Sequence, residues 1–276
     1  MTDIRLRTRE LGPKPTPLVP WFKEIWDYRN VLGILARKDF QVRYKRASFG
    51  ILWAVLLPLV QAVVFVFIFS RVGKFHHTTF NYSAYVLSGV LSWAYYSTSV
   101  QSASTSIVDG ATLTDKVWFP RSVLVMVPAL SNLFGLLTSM VLLIIALPIV
   151  GAPVTWHLVF IIPGILLLVA FTTGLGLVTS SLHVYFRDVK FIMQAAVLVW
   201  FYITPIVYPA SSLASVGKYF PYNPMTGIIG IFQFAAAGSY GPMQKQIIVS
   251  VVVTAVLLVI GIEANRRHDR LFVDKL

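Results

Sequence analysis

Residues 43–69 read RYKRASFGILWAVLLPLVQAVVFVFIF. Arg43, Lys45 and Arg46 crowd one end. From Ala47 onward there is no charge, a single amide (Gln61) and a single proline (Pro58). A run of this length can cross a bilayer, because about 20 apolar residues in a helix span about 30 Å of hydrocarbon. A cleaved secretion signal is not expected here, since the run begins after residue 42 and exceeds the apolar core of such signals. The alternatives are a membrane span and a buried core helix, and composition separates them.

Hydrophobic residues make up 57% of the 276 and charged residues only 12%, about half the charged share of a soluble protein. Mean hydropathy is +0.74. Such a chain lacks the polar side chains to clothe a water-facing surface, so an integral membrane protein is expected. Cysteine is absent, which removes disulfides and thiolate chemistry.

Six apolar segments follow one another, near 50–70, 82–107, 122–150, 157–181, 190–208 and 246–263. The second is rich in serine. An even number of spans puts both termini on one side. Residues 1–50 carry eleven Lys/Arg, the loops after the second and fourth segments carry two each, and the C-terminus four. Only Arg71, Lys74, Lys218 and Lys245 fall on the other side. Cytoplasmic loops carry the cationic excess, so both termini are expected in the cytoplasm. The net charge of +12 is then a topology and anionic-lipid signal, not a nucleic-acid one.

Residues 1–20 are basic and proline-spotted and read as a flexible cytoplasmic tail. In 21–40, Trp21, Ile25, Tyr28, Leu32 and Leu35 repeat at helical spacing, which predicts an amphipathic helix at the membrane interface. The alternative is a helix packed on another protein domain. Residues 41–265 form the six-span domain, and 266–276 a cytoplasmic C-terminal tail. Between the last two spans, 209–243 contains two apolar pieces too short to cross, broken by Pro209, Pro221, Pro224 and Pro242. This predicts an external re-entrant hairpin, with an ordinary external loop as alternative. The fold class expected is therefore all-α integral membrane.

The chain has no GxxxxGK[ST] phosphate loop, HExxH or GxSxG, which leaves it without those routes to hydrolysis. No catalytic constellation and no metal-ligand spacing stands out. All eleven acids fall on the cytoplasmic side or at its edge, whereas proton- or ion-coupled transporters place ionisable groups inside the bilayer. His76 and His77 are adjacent and read as solvated loop residues. What remains is a membrane wall without a motor, whose energy must come from a partner.

Three segments carry a family likeness: Arg43-Tyr44-Lys45 with Ser48, Gly50, Trp53 and Pro58; TDKVWFPRSVLVMVPAL at 114–130; and SLHVYFRDVKFIMQAAVLVWFYITPIVYP at 181–209 followed by YNPMTGII at 222–229. In this order they resemble the membrane subunits of ATP-binding-cassette exporters of cell-surface polysaccharides (O-antigen, capsule, teichoic acid, galactan). Phe49 departs from the leucine common there. The resemblance implies a homodimer in the cytoplasmic membrane on two cytoplasmic ATPase subunits, which would hold the ATP and magnesium. It implies no cofactor in this chain, a coupling helix between the second and third spans, and export of a lipid-linked polysaccharide along a path partly lined by aromatics. Alternatives are an exporter of a drug or small lipid, and a polyprenyl-linked transferase.

Substrate-path candidates are Phe65, Phe69, Trp93, Tyr95, Tyr96, Trp200 and Tyr202, since aromatic faces stack on sugar rings and a phenol can bond a hydroxyl. The alternative for each is a lipid-belt or packing residue. For the serines of the second span the alternative is close helix packing. Candidates for contact with the ATPase are Trp26, Asp109, Asp115, Lys116, Arg121, Arg187 and Asp188, against the alternative of topology-setting charge. Arg187 and Asp188 are expected to pair with each other or to cap the fifth span.

Overall fold

The computed structural model describes residues 17–45, 48–72, 80–114, 119–210, 217–238 and 244–268. All regular structure among them is helical. The helices are α1 (Leu18–Asp27), α2 (Arg29–Tyr44), α3 (Trp53–Val72), α4 (Tyr82–Asp109), α5 (Ala111–Thr114), α6 (Ser122–Ile149), α7 (Ile161–Tyr185), α8 (Val189–Ile203), α9 (Pro224–Ala237) and α10 (Gln244–His268). Each of the six apolar segments contains a helix, although the fifth, expected to reach 208, is helical only to Ile203. Three helices, Ser122–Ile149, Trp156–Tyr185 and Gln244–Arg267, are long and apolar enough to cross a membrane, and α3, α8 and α9 are shorter apolar helices.

α4 is the central helix and packs against α3, α6, α7, α8 and α9. It starts at Asn81, whose Oδ1 caps the Ala84 N–H at 3.0 Å. Its serines are compatible with the interior because their hydroxyls bond back into the helix, Ser88 to the Tyr85 carbonyl and Ser92 to the Ser88 carbonyl. Without water, each such group needs an internal partner. Ser88, Ser92, Ser99 and Ser104 are buried.

α7 and α10 run parallel and close. A Cβ on Gly261 would lie 2.7 Å from the Leu177 Cβ and 2.9 Å from the Gly174 carbonyl, so glycine permits the approach. Asn265 clamps their ends by donating to the Leu177 carbonyl and to Ser181 Oγ.

α8 stops at Ile203, and the chain continues non-helically to Pro209. The buried carbonyls of this strap still need donors. Tyr82 Oη donates to Val207 at 2.6 Å, Tyr85 Oη to Pro205 at 2.7 Å, and Gln233 Nε2 to Pro205 and Ile206. Asn223 caps α9 on the Met225 N–H and accepts from Trp200 Nε1 at 2.8 Å. Trp200 in turn packs edge-on to Tyr96 and Phe171, which lie near the middles of α4 and α7. The start of α9 is thus deep in the bundle. Its far end meets the start of α7, where Phe234 packs on His157 and Phe160.

The predicted helix over 21–40 is two helices. α1 and α2 break at Tyr28, whose backbone N–H bonds to the Glu24 and Ile25 carbonyls. Tyr28, Leu32, Leu35 and Leu113 pack on a small core of Phe119, Val123 and Leu124. Burial, then the Glu24 and Asp27 carboxylates, push the Tyr28 phenol above its usual pKa.

Candidate substrate groove

A cavity of about 740 Å³ opens along α4, between α3 and α6 on one side and α8 on the other. Its inner tier is polar. Gln61 comes from α3, Gln101 from α4, Asn132 from α6 and Gln194 from α8, with Ser97, Thr98 and Ser139 beside them. At 1.5 Å rise per residue, these four amides lie roughly 8–15 Å from the Trp53, Asp109, Ser122 and Val189 ends of their helices. Trp93, Tyr95, Phe201 and Tyr202 add aromatic surface, and Phe40 and Trp53 complete the lining at the α2 side. Pro58 cannot donate to the Ala54 carbonyl, and both residues line the groove. No Asp, Glu, Lys, Arg or His does so among the described residues.

Two of the amides are engaged. Gln101 Nε2 donates to the Ser97 carbonyl at 2.9 Å and to its Oγ at 3.0 Å. Asn132 Nδ2 donates to Ser99 Oγ at 3.0 Å, while its Oδ1 accepts from Arg43 Nη1 at 2.8 Å. The second Arg43 nitrogen donates to Asp39 at 3.1 Å. With the Phe40–Phe134 ring contact at 5.4 Å, this bond seats the end of α2 against the wall of the groove.

Three of the seven path candidates, Trp93, Tyr95 and Tyr202, line the cavity. Tyr95 is nonetheless anchored, its hydroxyl donating to the Ala129 carbonyl at 2.9 Å. Tyr96 and Trp200 pack edge-on to each other in the cluster behind it, and Trp93 lies 4.9 Å from the Tyr96 ring. Phe65 stacks on Phe201 at 5.6 Å and Phe69 leans on Phe65; both support the lining without forming it. The amides escaped sequence selection, though Gln61 was visible as the only amide of its span.

A second pocket, about 430 Å³, lies between α2, the end of α4 and the start of α6. Asp109 lines it with Lys38, Asp39 and Arg43, and accepts from Thr105 Oγ1 at 2.6 Å. Arg121 is buried at the start of α6. Trp26 is exposed beneath the Arg29 guanidinium, 5.3 Å from its ring centre. Asp115 and Lys116 lie outside the described residues, as do His76 and His77. Arg187 and Asp188 are exposed and make no ion pair among the described residues, and Asp188 does not cap α8 with its side chain. The expected pairing and cap are therefore corrected: both residues stand exposed in the turn between α7 and α8. Among the described residues no three His, Asp or Glu gather as a metal site.

A family model described as "ABC-2 type transporter" matches residues 30–236. An O-antigen export system permease protein of Myxococcus xanthus is 28% identical over 239 residues, which cover 86% of this chain and 91% of that protein. A Klebsiella pneumoniae protein with the same description is 28% identical over 202 residues, 72% of this chain and 77% of that one. A capsule polysaccharide export inner-membrane protein of Neisseria meningitidis serogroup A is 24% identical over 190 residues, 63% of this chain and 69% of that protein.

Proposed function

This chain belongs to the ABC-2 type transporter family, and from that premise we propose that it is the membrane subunit of an exporter of lipid-linked polysaccharide. Separate cytoplasmic ATPases supply the energy, and two copies of the chain form the path. The observation that carries this reading is the groove: amides, hydroxyls and aromatic faces set together in an otherwise apolar bundle. Lipid tails need none of those groups, whereas sugar rings use all three. The O-antigen and capsule export relatives support it.

Six spans with both termini cytoplasmic accord with the charge distribution. The region 209–243, of which 211–216 and 239–243 lie outside the described residues, is read as a re-entrant hairpin. The depth of the α9 start, tied through Asn223 to Trp200, supports it, as does the strap whose carbonyls are satisfied by side chains instead of water.

Force from the ATPases enters near α5 and leaves at the groove. Leu113 of α5 and Phe119 share one apolar core with Leu32 and Leu35 of α2. The other end of α2 holds the groove wall through Arg43–Asn132 and Phe40–Phe134. A shift of α5 is thereby transmitted to Asn132.

The test is reconstitution of the chain with its ATPases in proteoliposomes. ATP-dependent movement of a polyprenyl diphosphate-linked glycan, detected by glycosidase protection, is expected. The chain alone should hydrolyse no ATP and should co-purify with a separate ATPase. Robust hydrolysis by the isolated chain, or transport restricted to small lipids or drugs, refutes the reading.

A further inference from the structure

Resting on that export reading, we propose that the groove is selective for an uncharged glycan, one whose repeating unit bears hydroxyls without phosphate or carboxylate, and that Gln61 and Gln194 are the ligands that select it. The amide tier draws one side chain from each of four helices. Gln101 and Asn132 are held by neighbours. Gln61 and Gln194 line the groove from α3 and α8, both exposed, and neither makes a hydrogen bond with another described residue. A primary amide offers two donors and an acceptor with two lone pairs. Both amides open onto the groove with their hydrogen-bonding groups free of other described residues, and covering them with an apolar occupant would cost those bonds; a polar occupant would not. Vicinal sugar hydroxyls, which donate and accept at once, match them.

Charge decides the class. A polymer with a phosphate or carboxylate on every unit would hold a desolvated charge in this tier at each step, with no cation among the described lining residues, which is strongly disfavoured; the diphosphate of the carrier passes once per chain and is common to both kinds of substrate. Among the described residues Arg43 is the cation bonded to a groove side chain, and it is already committed to Asn132 and Asp39. The aromatic surface of Trp93 and Tyr202 adds stacking for sugar rings, which is indifferent to sequence and requires no charge.

The experiment compares two substrates on the same polyprenyl diphosphate carrier: a galactan, and a polygalacturonate of equal length, which differs by the carboxylate on each ring. Both are offered to the chain–ATPase complex in proteoliposomes. ATP-dependent transfer of the galactan is expected to be at least about tenfold faster, the scale of discrimination that an uncompensated charge produces. Gln61→Leu and Gln194→Leu should slow galactan transfer severalfold while the variants still co-purify with the ATPase. Gln61→Lys should narrow the ratio by admitting the polygalacturonate, which loss of structure alone would not do. Equal or faster transfer of polygalacturonate by the wild type overturns the selectivity and leaves the export function standing. Wild-type galactan rates in both leucine variants overturn the assignment of the ligands. Movement of neither polymer overturns the export reading itself.

Discussion

The strap at 204–209 allows a double-mutant test with a definite sign. The Pro205 carbonyl is buried and accepts from two side chains, Tyr85 Oη at 2.7 Å and Gln233 Nε2 at 3.1 Å. Tyr85→Phe removes one donor and Gln233→Leu the other. Each single variant leaves Pro205 satisfied and should cost about 1 kcal/mol, the net worth of a typical hydrogen bond. Secondary losses at the Tyr208 and Ile206 carbonyls are part of those single costs. The double variant orphans Pro205, and an unsatisfied buried acceptor costs about 1–3 kcal/mol. The pair should therefore be worse than the sum by about 1–2 kcal/mol. Bonds inside membrane bundles run weaker, near 0.6 kcal/mol on average, so the lower end of that excess is expected. Equilibrium unfolding in mixed micelles measures it. Additivity within about 0.5 kcal/mol refutes the idea that two donors share one carbonyl to hold the broken end of α8. Because Trp200 and Tyr202 lie just before the strap, glycan export should fall with stability across the series.

Asn223→Ala should cost about 2–3 kcal/mol, from the α9 cap and from lost bonds to Trp200 and Thr204, and should shift tryptophan emission; an unchanged thermal midpoint would contradict this. Gly227→Ala sets a Cβ 2.3 Å from the Gln246 carbonyl and Ser250 Oγ, so α9 must leave α10, at roughly 1–3 kcal/mol or more. Gly33→Ala meets nothing within 4 Å and should instead stabilise α2 by about 0.5–1 kcal/mol; thermal denaturation in detergent ranks the two. Arg43→Ala and Asn132→Ala should be coupled by about 1–2 kcal/mol, read as maleimide labelling of Ser106→Cys beneath α2. The chain has no native cysteine, so that thiol reports alone, and equal labelling in all backgrounds would show that the bond does not seat α2.

The membrane-crossing character was legible because it depends on composition along a segment, which needs no knowledge of neighbours. α6, α7 and α10 carry it plainly. α4 does not meet the same measure, and the reason is positional. It is enclosed by other helices, so it can hold serine where a lipid-facing helix would hold leucine. The serines read as packing residues are buried and close on their own backbone. The break at Tyr28 was hidden because the apolar spacing continues across it, with Leu32 and Leu35 still meeting the same core.

The face of an enclosed helix is what hydropathy cannot assign. Trp93, Tyr95 and Tyr96 are adjacent in sequence, yet two line the groove and Tyr96 packs on Phe171. Periodicity distinguishes faces only when one of them is polar or lipid-exposed, and α4 offers no such contrast. The amides carry a stronger signal than the aromatics. Phenylalanine, tyrosine and tryptophan are at home in lipid, in packing and at a sugar, so their presence discriminates little. A glutamine in a span has a cost in lipid and in a dry core alike, and only a polar partner removes it. Gln61, Gln101, Asn132 and Gln194 are such side chains on four different helices, and the fold brings all four to one cavity. The physical cost of a side chain in its surroundings, more than its affinity for a ligand, is what marks the groove.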